Sequence, residues 1–313
     1  MRVGLNLAHF AAPGGSAELG ANLTRVAQRA EAAGFESLWV WDHLLWCRAP
    51  IGPGVTDREM IEAYTTLGFL AGVTRTVRLG TMVAAVTFRH PGVLVKQVTT
   101  LDVLSGGRAI CGLGAGWFEE EHRALGIPFP TLTERFERLE ETVRIARLMW
   151  ADAGAYDQAV LFSGSHYRLD RTLNVPQAIQ RPHPPILIGG GGEQKTLRLV
   201  AQHADACNLT DRLTPGELAH KLAVLRRHCD RLGRPYEAIE KTLSARLPVT
   251  GHGQGEALSV PEVLAYCQTV AALGFDTLIL LDETPSLYDP ALLDAWATRL
   301  IPAIRQIPVA GRP

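Results

Sequence analysis

Short apolar runs alternate with longer amphipathic stretches along this chain, and that rhythm limits the folds open to it. Runs at 3–8, 35–41, 77–86, 109–113, 186–188, 205–209, 239–249 and 275–281 read as strands. Helical spacing fills the intervals at 18–33, 59–74, 91–104, 132–150, 193–203, 215–232, 261–273 and 290–304. One unit echoes another: Ala32-Ala33-Gly34-Phe35-Glu36-Ser37-Leu38 resembles Ala272-Leu273-Gly274-Phe275-Asp276-Thr277-Leu278, each a helix end, a glycine stop and a strand start. Strand–helix alternation calls for a parallel sheet covered by helices, and eight repeats close it into a (β/α)8 TIM barrel. An open doubly wound sheet is the other arrangement, but no single switch point stands out in the order of elements. The whole chain, 1–313, is expected as one barrel domain. Residues 153–185 break the rhythm with a hairpin over 162–169 and then Pro176, Pro182, Pro184 and Pro185, and read as an insertion packed on the barrel.

The length, 313 residues, suits one barrel, and a composition of 47% hydrophobic and 20% charged residues is that of a globular enzyme. A formal net charge of −1 gives no electrostatic ground for binding nucleic acid or an anionic membrane. Cys47, Cys111, Cys207, Cys229 and Cys267 are scattered without a C-x-x-C pair, which fits a reduced, cytoplasmic protein. The first residues alternate like a strand and form no signal-peptide core, and no uncharged apolar run approaches about 18 residues. There is no H-x-H, no H-E-x-x-H and no acidic ligand cluster, so no metal is expected. No G-x-S-x-G elbow exists, and Cys111 lies within an apolar strand, where inert packing is the expected role.

In a barrel the reacting groups gather at the C-terminal ends of the strands. Asp42-His43 ends the second strand. The ordinary histidine pKa lies near neutrality, so His43 can pass a proton, with Asp42 orienting it, or it can be a histidine satisfied at a strand end. Thr87, Arg89 and His90 follow the third strand. After the fourth, Gly112, Gly114 and Gly116 lead into Trp117 and three glutamates, which reads either as a wall that a ligand approaches closely or as a bend. The spacing does not match G-x-G-x-x-G. The glutamates read as the solvated first turn of a helix, with one of them, Glu120, expected to face inward. Gly189, Gly190, Gly191 and Gly192 open a helix after the fifth strand, and bare N–H groups there make an anion seat with Lys195 nearby. A plain turn is the alternative, though four glycines are more than a turn needs. An anion seat, aromatic walls from Trp41 and Trp46, a histidine and no metal suit a phosphorylated, planar redox cofactor.

The segments Trp39-Val-Trp-Asp-His43, Leu79-Gly-Thr-Met-Val83, Thr87-Phe-Arg-His-Pro91, Leu101-Asp-Val-Leu-Ser-Gly-Gly-Arg108, Gly112-Leu-Gly-Ala-Gly-Trp117 and Pro185-Ile-Leu-Ile-Gly-Gly-Gly-Gly192 resemble the bacterial luciferase-like superfamily. More narrowly they resemble its deazaflavin (coenzyme F420)-dependent oxidoreductases. The resemblance implies a barrel with an insertion, a homodimer, and a cofactor lying across the strand ends with its phosphate near the glycine run. It implies that Asp42 and His43 line the ring. Met82 and Val83, in this family often joined by a non-prolyl cis bond, would buttress its back, Ala115 and Gly116 would run along it, and Gly189 to Gly191 would take the phosphate. Thr87, Glu120 and Gly192 complete the expected cofactor-binding set. The implied reaction is hydride transfer between the deazaflavin C5 and a small organic substrate, with His43 supplying or accepting the proton. An FMN-dependent monooxygenase shares the barrel and is a second reading, and a non-catalytic flavin-binding protein is a third. Two departures stand out. Trp117 occupies the place where sugar-phosphate members carry a glutamate, so the resemblance does not extend to that substrate. Trp46 lies one residue off the family's ring-proximal tryptophan.

Overall fold

The computed structural model describes residues 1–46, 58–151, 160–247 and 258–312. The polar loop expected over 47–57 with Cys47, the start of the insertion at 153–159, residues 248–249 of the seventh strand and the loop residues 251–257 lie outside the described residues.

Strands β1 (Arg2–Leu7), β2 (Ser37–Val40), β3 (Arg78–Thr81), β4 (Ala84–Ala85) and β5 (Ala109–Gly114) form the first half of the sheet. A short antiparallel hairpin, β6 (Phe162–Ser163) and β7 (Arg168–Leu169), belongs to the insertion. Strands β8 (Ile186–Gly189), β9 (Ala206–Thr210), β10 (Glu240–Ala245) and β11 (Thr277–Asp282) complete the sheet. Among the described residues, nine strands pair in the order β3-β2-β1-β11-β10-β9-β8-β5-β4, and β3 also pairs with β5, closing the ring. β3 and β4 are halves of one stave, so the ring is the expected eight-stave parallel barrel.

The helices are α1 (Leu19–Ala33), α2 (Ala63–Val73), α3 (Pro91–Ser105), α4 (Glu119–Ala124), α5 (Leu132–Trp150), α6 (Thr196–His203), α7 (Pro215–Leu232), α8 (Val260–Ala272), α9 (Pro290–Ala295) and α10 (Ile301–Arg305). Local chemistry sets their ends. α1 buries Leu19, Leu23, Val26, Ala27 and Ala30 at helical spacing and stops at Gly34, where φ is 93°. α7 begins with a capping box between Thr214 and Glu217 and has Pro215 in its first turn. Most apolar side chains fill the layer between staves and helices. A second cluster, Trp39, Ile110, Leu187, Ala206 and Ile279, plugs the barrel interior, with Met82 and Val83 packed against it.

Two expected elements are broken. The third strand, expected as continuous over 77–86, divides at Met82–Val83, whose peptide bond is cis. Gly80 pairs with Ile110 and Ala84 with Leu113, so four steps of this stave span three of β5, and the extra residue is a bulge. Beside it, a Cβ on Gly112 would lie 1.9 Å from the Thr81 carbonyl oxygen, so only glycine admits that approach. The last helix, expected over 290–304, opens into a π-turn at Trp296–Leu300 before α10. Pro302 has no N–H to donate there, and the ladder widens.

Buried carboxylates fasten the pieces that frame the barrel mouth. Glu141 on α5 accepts the N–H groups of Ser165, His166 and Tyr167, and Asp102 on α3 accepts those of Ile179 and Gln180, which docks the described part of the insertion. Just past β2, Asp42 accepts from the Ala85 N–H at 3.0 Å and from Arg89 at 2.6 Å, and Arg89 also pairs with Glu62 before α2. Burial raises the Asp42 carboxyl above its ordinary value, and the Arg89 guanidinium and the Ala85 N–H oppose that shift.

Gly112→Ala should therefore lower stability by about 3 kcal/mol, seen as an earlier denaturation midpoint; an unchanged midpoint would contradict the close approach. Arg89→Leu leaves a buried carboxylate without its cation and should cost about 3–5 kcal/mol at neutral pH. With the opposing charge gone, the upward shift of folded Asp42 grows beyond that of the wild type. The variant's stability should then fall more steeply than the wild type's as pH rises from about 4. A deficit independent of pH would show that Asp42 is not the group left unpaired.

Candidate active site

The C-terminal ends of the staves surround a cavity of about 410 Å3, within the roughly 300–1,000 Å3 common for small-molecule sites. Met82 and Val83 form its floor, resting on the interior plug. Val83 stands in a gap that two bare backbones provide. A Cβ on Gly114 would lie 2.6 Å from its Cγ2, and one on Gly189 would lie 3.0 Å from its Cγ1. These two glycines of the two glycine-rich runs make room for the floor, one from each side.

Trp41, Phe88, Trp117, Phe118 and Phe136 supply the aromatic walls. Asn6, Asp42, Asn208 and Ser244 bring polar groups to the same space. Asn208 is held by Thr242 and Ser244 at 2.9 and 3.1 Å. Asp42 Oδ1 and Asn6 Oδ1 are buried with no hydrogen-bond partner among the described residues. Both are acceptors at the cavity wall, suited to an N–H or O–H edge.

His43 sits between Trp41 and Trp117, whose ring centroids are 6.0 and 5.7 Å away and nearly perpendicular to the imidazole. The expectation that Asp42 orients His43 is corrected. Adjacent residues at a strand end point to opposite sides, and Asp42 turns to Arg89. The carboxylate that meets His43 is Glu121, at 2.9 Å from Nδ1. Glu121 also accepts the N–H groups of Leu44 and Leu45, the latter at 2.8 Å. Burial pushes its carboxyl up, but His43 and the two N–H donors outweigh that and hold it below the ordinary carboxylate value.

Glu120, the glutamate expected to face inward, is exposed on α4 and does not line the cavity. The helix turns Glu121 and His122 inward instead. Thr87 also lies off the wall. Its hydroxyl is 2.7 Å from His122 Nε2, while His122 Nδ1 donates to the Phe118 carbonyl. Thr87 thus braces α4 from behind.

Ala115, Gly116, Gly189 and Gly190 line the cavity; Gly191 and Gly192 lie just beyond its wall. The Gly190 N–H is taken by the Asn208 carbonyl, whereas those of Gly191, Gly192 and Glu193 meet no acceptor among the described residues. They are the anion-seat candidates. Lys195 reaches over the Phe136 ring at 5.4 Å. The residues that the sequence reading missed are Asn6, Glu121, His122, Thr210, Arg212, Ser244 and Arg246. A lone polar residue inside an apolar strand, as in Leu5-Asn6-Leu7, is the signal that could have found the first. Arg246 is clamped between Asp211 at 3.0 Å and Glu283 at 2.7 Å. Cys111 is buried in β5 with its thiol pushed up to about 12, as an inert packing residue should be. No helix among the described residues is long and apolar enough to cross a membrane.

The family described as luciferase-like monooxygenase matches residues 1–271. A protein of Kineococcus radiotolerans named F420-dependent glucose-6-phosphate dehydrogenase is 35% identical over 179 residues, 55% of this chain and 48% of that one. A protein of Pseudomonas putida named FMNH(2)-dependent dimethylsulfone monooxygenase is 31% identical over 166 residues, 53% of this chain and 42% of that one. The chain thus spans about half the length of these curated relatives. The crystal structure of the monooxygenase RslO1 from Streptomyces bottropensis superposes with a TM-score of 0.78 at 22% identity, covering 96% of this chain and 99% of that one. With that match over residues 1–271, the chain belongs to the luciferase-like monooxygenase family.

Proposed function

We propose that this protein is an oxidoreductase that moves hydride between C5 of a deazaflavin, coenzyme F420, and a small organic substrate. The observation that carries this reading is a set of three groups in one cavity: an apolar floor at Met82–Val83, a buried Asp42 oxygen lacking a partner among the described residues, and His43 on the wall. The floor suits a flat ring, and Asp42 suits its N–H edge. The amides of Gly191, Gly192 and Glu193 would hold a phosphate. The bound deazaflavin would supply the two-electron hydride centre.

The chain's own residues do the rest. Asp42, whose ionised form Arg89 favours against the pull of burial, orients the ring edge. Trp41, Trp117 and Phe118 exclude water from the reacting face. His43 holds or takes the proton that must accompany hydride transfer. Trp117 favours a small organic substrate over a sugar phosphate, because it places an indole where those enzymes carry a carboxylate. The Kineococcus relative supports deazaflavin as the cofactor. The Pseudomonas relative supports a second reading, FMN-dependent monooxygenation.

Titration of the purified protein with each cofactor separates the two. Saturable deazaflavin binding, with FMN at least about tenfold weaker (1.4 kcal/mol), is expected. FMN binding with oxygen consumption and no affinity for deazaflavin would overturn the first reading. His43→Ala should lower kcat by about 10²–10⁴ and leave deazaflavin affinity nearly unchanged. Unchanged turnover would remove His43 from proton transfer.

A further inference from the structure

Glu121 is fully buried, and among the described residues its three hydrogen-bond partners come from one place, the end of β2: His43 Nδ1 at 2.9 Å, and the N–H groups of Leu44 and Leu45. A carboxylate can only accept, and the two backbone donors share its Oε1, which leaves Oε2 for the imidazole. His43 Nδ1 must therefore carry a hydrogen, and Nε2 is the nitrogen that gains or loses a proton. The ring is also held laterally by the edges of Trp41, Trp117 and Phe118, none of which competes for Nδ1. The geometry points to Glu121 as the positioning residue of this site: it fixes the tautomer and orientation of His43, favours its imidazolium, and anchors the first residues of the β2 exit loop. The turnover part of this inference rests on the oxidoreductase reading above; the tautomer does not.

The arrangement follows a general rule. A buried carboxylate on the far nitrogen of a proton-carrying histidine selects the tautomer and stabilises the charged ring. The distinctive part is its source. α4 begins with Glu119, Glu120 and Glu121, and only the third is buried, within hydrogen-bond reach of His43. The other titratable groups lining the cavity are Asp42, His122, Arg212 and Arg246. Asp42 is paired with Arg89, His122 with Thr87 and the Phe118 carbonyl, and Arg246 with Asp211 and Glu283. None of these pairings involves Nδ1 of His43.

Imidazole nitrogen NMR on the cofactor-free protein tests this without turnover. Wild-type His43 should be protonated at Nδ1 when neutral, with a pKa above its ordinary value of about 6.5. In Glu121→Gln it should drop by about 1–3 units, because the anion that favours imidazolium is gone, and the tautomer should become mixed. Glu121→Asp, one methylene shorter but still anionic, should restore part of the shift. In the loaded enzyme, Glu121→Gln should lower kcat at least about tenfold, move the His43 limb of the pH profile to lower pH, and leave deazaflavin affinity unchanged. Wild-type His43 protonated at Nε2 when neutral would overturn the proposal without any variant. An unshifted His43 pKa in a folded Glu121→Gln protein would overturn it too. Failure of the wild type to bind or turn over either cofactor would instead strike the oxidoreductase reading and leave the NMR result standing.

Discussion

Two buried carboxylates hold the mouth of this barrel in shape, and each answers one of two neighbouring residues at the end of β2. Asp42 turns toward the β3–β4 stave, where Arg89 and the Ala85 amide receive it. His43 turns the other way and is met by Glu121 from α4. The strand's alternation sends the two side chains apart, so each needs a partner from a different element. An ion pair buried this deeply adds little stability over an apolar pair, but losing one member is costly. Its value is positional: both walls of the cavity are referenced to a single strand end.

The floor depends on missing side chains. Val83 projects into space that Gly114 and Gly189 leave open from opposite sides, and β5 passes the Thr81 carbonyl only because residue 112 is glycine. The glycine-rich runs after β5 and β8 thus serve packing first. In the second run only the residues past Gly190 keep amides free for an anion among the described residues. At the bulge that splits the third stave, Met82 and Val83 pack on the plug of Trp39, Ile110, Leu187, Ala206 and Ile279 and line the cavity above it. A flat, apolar base is thereby presented to the cavity.

The barrel was legible because strand and helix periods alternate cleanly, and α5 and α7 span the expected 132–150 and 215–232. The breaks were not legible. A bulge depends on the register of a partner strand distant in sequence, and a π-turn on how Pro302 meets the preceding turn. At the site, Asp42, His43, Met82, Val83, Ala115, Gly116, Gly189 and Gly190 could be picked out because strand ends in a barrel share one face, and all of them line one cavity. Choosing Glu121 over Glu120 required the helix phase, which three identical residues in a row conceal. The partner of His43 was misassigned for a related reason: adjacency in sequence suggested Asp42, whereas a strand sends neighbours to opposite sides. Arg212 and Arg246 gave no signal, since isolated arginines after strands are common.

In the proposed reading a planar redox cofactor would rest its ring on Val83 with its N–H edge at Asp42. The most direct measurement is a crystal structure of the protein grown with deazaflavin, and a second with FMN. Ring density stacked over the Met82–Val83 step, a hydrogen bond to Asp42 Oδ1, and the phosphate against the amides of Gly191, Gly192 and Glu193 are expected. Density for either ring elsewhere on the molecule, or a mouth left empty at saturating cofactor, would contradict that reading.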